Sequence, residues 1–157
     1  MPRWRRPESG HLAAVLARRA RDAGAGLVGQ LLICPVIDPA AVYPPLDGYG
    51  LSGDEMRFFW DAFVPGDVDR THPDVNPLCA ELSGLAPAMV ITAELDILRD
   101  EGERYAAELG RSGVAVVAVR YQGMLHDFPR KLALFDAAPV AVAQLADALR
   151  RWAEVGG

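Results

Sequence analysis

Two short apolar runs with an amphipathic stretch between them, all inside residues 88–128, leave this chain few ways to fold. Met89-Val90-Ile91-Thr92-Ala93 has the length and β-branched content of a buried strand. Across residues 99–109 the apolar period lengthens to that of a helix, with charges on the opposite face and Gly110 and Gly113 near its end. Residues 114–119, VAVVAV, read as a second buried strand, with Gly123-Met124-Leu125-His126 as the loop after it. Strand, helix, strand is a βαβ unit, whose right-handed crossover sets the two strands parallel. As neighbours, such strands end roughly 5 Å apart. Asp96 and His126 then both fall just past the carboxyl ends, within reach of a hydrogen bond. A carboxylate that fixes one imidazole nitrogen leaves the other able to act as a general base. Asp96 and His126 are therefore the candidate catalytic residues. The rival reading of Asp96 is a helix-start carboxylate, since Asp100 and Glu101 stand close by.

The 157 residues have the size of one domain, about half of them hydrophobic and a quarter charged, as in an ordinary globular protein. A net charge of −5 argues against a nucleic-acid or anionic-membrane partner. Cys34 and Cys79 have no CxxC spacing, so neither a metal site nor a disulfide framework is signalled. Cys34, inside an apolar run, reads as a small buried hydrophobe. The Arg-rich start, MPRWRRPESG, is followed by too short an apolar stretch for a signal peptide, and no segment has the length to span a membrane. The cytoplasm is the expected location.

Residues 1–8, polar and with two prolines, are expected to be disordered. Ser9 or Gly10 can begin a helix with Leu12, Val15, Leu16 and Ala20 as its apolar stripe and His11 on its exposed side. Residues 29–36, GQLLICPV, form another continuous apolar run, a strand buried on both faces. Residues 38–76 are rich in Pro, Gly and Asp and read as a lid or pocket-wall insertion, with an amphipathic helix at 53–63. After His126 a short helical turn is expected around residues 130–135. A last helix then starts near Pro139, burying Val142, Leu145, Leu149 and Trp152. The order predicts an α/β fold, about three parallel strands flanked by helices, in a single domain spanning residues 1–157.

Several of these segments, in this order, resemble the C-terminal half of an α/β-hydrolase of the hormone-sensitive-lipase-like esterase family. Gly10-His11-Leu12-Ala13-Ala14 resembles the start of the helix after that family's nucleophile, and Leu31-Leu32-Ile33-Cys34-Pro35 its sixth strand. Gly48-Tyr49 and residues 56–60 resemble the segment beside its pocket. Pro77-Leu78, Leu85-Ala86-Pro87-Ala88 and residues 91–101 (ITAELDILRDE) match its seventh strand and acid, and residues 123–128 (GMLHDF) the loop that carries its histidine. The resemblance covers the chain from about Gly10 onward. It implies carboxylic-ester hydrolysis of a small-molecule ester, with Asp96 orienting His126 and His126 taking a proton from a serine. It implies no metal and no organic cofactor.

The same resemblance expects that serine in a Gly-Asp-Ser-Ala-Gly-Gly turn directly before the helix. Aligned on Gly10, Pro7 falls at the serine position, and Arg5, Arg6 and Glu8 stand where small residues are needed. Ser9 lies two residues late and reads as a helix cap. The expected His-Gly-Gly oxyanion loop and the five preceding strands have no counterpart here. Ile97 stands where proline often follows the acid, and Asp127 where glycine usually follows the histidine. The expectation is a truncated hydrolase fold that carries acid and base without nucleophile or oxyanion hole, inactive alone. The alternatives are a non-catalytic interaction protein and one half of a split esterase. Either way, a homo-oligomer or a separate N-terminal half is the expected partner, because a strand without its neighbour leaves an apolar edge uncovered.

Overall fold

The computed structural model describes residues 9–46, 49–64, 66 and 68–155. The expected disorder of residues 1–8, and with it Pro7, lies outside them, as does Gly48. Helix α1 (Ser9–Asp22) leads into strand β1 (Gln30–Ile33), and helix α2 (Gly53–Phe63) sits in the long connection to strand β2 (Ala88–Leu95). Helix α3 (Arg99–Arg111), strand β3 (Val116–Leu125) and helix α4 (Ala137–Val155) complete the chain. The three strands form one parallel sheet in the order β1-β2-β3. This is a layered α/β arrangement of three parallel strands flanked by helices, as the order of apolar runs predicts.

Side chains alternate across the sheet, and each face meets its own helices. Leu32, Val90 and Val114 pack with Ala14 of α1 and with Tyr105, Ala106 and Leu109 of α3. Met89, Ile91 and Ala93 pack on the other face with Ala138, Ala141 and Leu145 of α4 and with Phe128. Every residue of β2 up to Ala93 is buried, because it is the central strand and is covered on both faces. Gly10 and Pro35 set the approach of α1 to the end of β1: a Cβ on Gly10 would stand 2.8 Å from the Pro35 Cα. A third cluster, with Val36, Met56, Trp60, Val64, Val75, Ile97 and Leu98, fastens the insertion to the loop after β2. Helix α2 carries a capping box in which Ser52 and Glu55 satisfy each other's backbone N–H groups.

Several expectations are corrected. β1 is shorter than residues 29–36, because Cys34 turns into the left-handed region at φ 43° and ends the ladder. β3 runs on to Leu125, so Gly123-Met124-Leu125 belong to the strand and the loop begins at His126. β3 is an edge strand, with Val117 and Ala118 exposed, because no strand pairs with its outer side among the described residues. On α1 the buried stripe is His11, Ala14 and Ala17; Leu12 and Leu16 are exposed at 42% and 62%. The small residues face the sheet because α1 lies close against it, leaving the leucines outward. On α4 the same preference buries Ala138, Ala141 and Leu145, whereas Val142 and Leu149 are exposed. That helix starts at Ala137, ahead of Pro139, and the turn expected at residues 130–135 is centred earlier, as a 3-10 turn at Phe128–Arg130. Among the described residues no helix is long and apolar enough to cross a membrane.

Candidate active site

Asp96 directly follows the last residue of β2, and His126 directly follows the last residue of β3. What sets them opposite each other is a bulge. Along most of the β2–β3 ladder, residues pair at a constant offset, from Ala88↔Val116 to Ala93↔Tyr121. The next pair is Leu95↔Leu125, so β3 spends two more residues than β2 in reaching it. Continued one step, the new register places Asp96 against His126. The bulge contains Gly123 at φ 69°, a conformation that costs glycine nothing. Its N–H donates to Glu94 Oε2 at 2.7 Å, which fixes the extra residues in place.

His126 Nδ1 and Asp96 Oδ2 are 2.9 Å apart, the carboxylate buried and the imidazole largely so. The other oxygen of Asp96, Oδ1, accepts the Leu98 N–H at 3.0 Å. The carboxylate is thus held by the turn that starts α3, and its second oxygen is turned to the ring. This arrangement can fix the orientation of the imidazole and stabilise it once protonated. Asp100, the rival acid, lies exposed and pairs with Arg99 at 2.7 Å, away from the ring. Asp127 adopts φ 61°, which explains why glycine suits the position after the histidine. Its carboxylate is engaged by Arg130 at 3.0 Å.

A third side chain joins the pair. Cys34, just past β1, is buried, and its thiol meets the His126 side chain and the Asp127 backbone N–H. Burial pushes the thiol up from its ordinary pKa, against the pull of those two hydrogen bonds. Sequence reasoning places Cys34 in the core and misses this contact. The one available signal is that Cys34 stands at the carboxyl end of a parallel strand, as Asp96 and His126 do.

A buried polar knot lies behind the pair. Asp38 accepts from Asn76 Nδ2 at 2.9 Å and from Arg104 Nη1 at 3.2 Å, and its N–H donates to Glu101 Oε2 at 3.0 Å. Burial pushes Glu101 up to about 8, offset by backbone N–H groups and reinforced by the charges of Asp38 and Asp96. Glu101, which the sequence offers only as a rival acid, is instead the tie between α3 and the chain after β1. His11, expected on the exposed side of α1, is buried; its Nε2 lies 3.0 Å from the Val75 carbonyl, edge-on to Trp60 and Phe63. Burial lowers its pKa. In the segment that resembles the side of the family's pocket, Trp60 is core, while Phe58 and Tyr49 are exposed. His72 is exposed.

A family model described as alpha/beta hydrolase fold matches residues 9–130. An ethyl acetate hydrolase of Pseudomonas putida is 31% identical over 150 residues, which is 90% of this chain and 47% of the relative. The carboxylic ester hydrolase LipN of Mycobacterium tuberculosis is 37% identical over 153 residues, 90% of this chain and 40% of the relative. The solved esterase of Pyrobaculum calidifontis superposes with a TM-score of 0.83 at 38% identity, over 92% of this chain and 50% of that one. The chain therefore spans half or less of the length of these relatives.

Proposed function

This chain belongs to the alpha/beta hydrolase fold family, and from that premise we propose that it is the acid–base half of a carboxylic-ester hydrolase. The observation that carries the reading is the 2.9 Å contact of His126 Nδ1 with Asp96 Oδ2 at the carboxyl edge of a parallel sheet. In the reaction, His126 takes the proton of a serine hydroxyl as that oxygen attacks the ester carbonyl. It then returns the proton to the departing alcohol and repeats both steps with water to release the acid. Asp96 holds the ring in the tautomer this needs and stabilises the imidazolium that forms. The substrate is a small carboxylic ester, and residues 38–76 form a wall of its pocket. The setting is the cytoplasm, with no part for nucleic acid or a membrane.

The resemblance sets Pro7 at the place of the nucleophile, so residues 1–157 alone are inactive, and an N-terminal half bearing serine and oxyanion donors completes the site. The exposed Leu12 and Leu16 of α1 and a β1 strand hydrogen-bonded only to β2 among the described residues favour that reading. The same surface supports the second one, a non-catalytic interaction protein or homo-oligomer. Hydrolysis of short-chain p-nitrophenyl esters separates them. The purified chain is expected to match its His126→Ala variant, and a rate is expected once an N-terminal half with the nucleophile is supplied. That rate should fall by several orders of magnitude in His126→Ala. A robust rate from the chain alone, abolished by Ser9→Ala, would make Ser9 the nucleophile and overturn the reading. No rate on complementation, with a stable complex formed, would favour the interaction protein.

A further inference from the structure

Each strand of the sheet delivers one side chain to the same point. Cys34 follows β1, Asp96 follows β2 and His126 follows β3, and a sulfur, a carboxylate oxygen and a ring nitrogen from the three lie within 4.8 Å of one another. Among the described residues no other trio of potential metal ligands converges in this way. Cys34 and Asp96 are each 2% exposed, with His126 as the more open side of the cluster.

From this geometry we propose that Cys34, Asp96 and His126 form a binding site for a thiophilic divalent cation, of which zinc is the type, with a fourth position left for water. The donor set is the reason. Thiolate, imidazole and carboxylate are the three side-chain ligands zinc takes, at roughly 2.3, 2.0 and 2.1 Å. Those bond lengths in a tetrahedron put the donors roughly 3.3–3.6 Å apart. The Asp96–His126 pair therefore opens slightly from its 2.9 Å contact, and donors up to 4.8 Å apart draw in by about 1 Å. The sulfur selects against magnesium and calcium, which prefer all-oxygen sites. Outer contacts are in place: the Leu98 N–H holds Asp96 Oδ1, and the Asp127 N–H reaches the Cys34 sulfur. On binding, the thiol S–H bond breaks, its proton leaves to solvent and its electron pair forms the sulfur–metal bond. His126 Nδ1 loses its hydrogen to solvent while Nε2 takes one up. The Nδ1 lone pair freed in this way bonds the cation in place of the hydrogen bond to Asp96, so the imidazole no longer serves as a base while the metal is bound. The site stands whether or not the chain takes part in ester hydrolysis.

Cobalt(II) added to the purified chain tests this without any ester. A tetrahedral thiolate site should give a near-ultraviolet sulfur-to-cobalt charge-transfer band and strong visible bands, saturating at one equivalent, displaced by zinc and accompanied by proton release. Cys79→Ser should keep these signals, since Cys79 is exposed and apart from the trio. Cys34→Ser and His126→Gln should each lose the bands or weaken binding more than about tenfold. Circular dichroism checks that both variants remain folded, and either one alone suffices. Bands that persist in a folded Cys34→Ser chain, bands lost in Cys79→Ser, or no bands from the folded parent chain would overturn the proposal.

Discussion

At the residue scale, buried ionisable groups tie stability to pH. Glu101 titrates at about 8 in the folded chain and near its ordinary 4.5 when unfolded. Between those values the folded state binds the extra proton, so stability falls as pH rises through that window. The loss is on the order of a few kcal/mol, and Glu101→Gln should flatten it in urea unfolding measured across the range. His11 acts in the opposite sense. Its buried imidazole resists a proton that the unfolded chain takes near 6.5, so stability also falls as pH drops below that value. His11→Gln should remove only that acid limb. Asp127 is a separate case, because its cost lies in the backbone. At φ 61° an Asp is tolerated and a β-branched residue is not. Asp127→Gly should be close to neutral, whereas Asp127→Val should cost about 1–2 kcal/mol in the same assay.

At the scale of elements, the β2–β3 bulge decides whether acid and base meet. Gly123 at φ 69° has open space where a Cβ would go, so Gly123→Ala tests the conformation without a clash. It should cost about 1–2 kcal/mol. It should also loosen the Asp96–His126 pair, visible as a shift of the His126 imidazole titration by NMR. A pair that titrates unchanged would show that the bulge is not what aligns it. Gly10→Ala is the opposite case, with a normal helical backbone and no room. Its Cβ would stand 2.8 Å from the Pro35 Cα, so α1 must move off β1 at a cost of about 1–3 kcal/mol.

For the molecule as a whole, the question is what covers the outer side of β1. The strand has no charge between Gln30 and Ile33 and bonds to β2 alone among the described residues, and Leu12, Leu16, Leu27 and Val28 stand exposed. An unpaired strand edge beside exposed apolar side chains favours association. The isolated chain should therefore be a dimer or larger by light scattering, with slow amide exchange along residues 31–34 in the assembly. A cooperative monomer with the same protection would mean that the chain supplies its own cover.

The sequence by itself determined the order and type of the elements. Period-two and period-3.6 patterns and β-branched runs are local properties, and they located β2, α2 and α3 closely. It also singled out Asp96 and His126, because a parallel βαβ unit brings residues after consecutive strands to one edge whatever the details of packing. Tertiary structure decided the rest, through relations between distant residues that no local pattern carries. The register shift that pairs Leu95 with Leu125 depends on a Glu94 carboxylate capturing the Gly123 N–H across two strands. Which face of α1 and α4 is buried followed from how closely each helix lies on the sheet, and alanines won over leucines for that reason. His11 is core because the insertion folds over it, and Cys34 joins the acid and base because three strands end side by side.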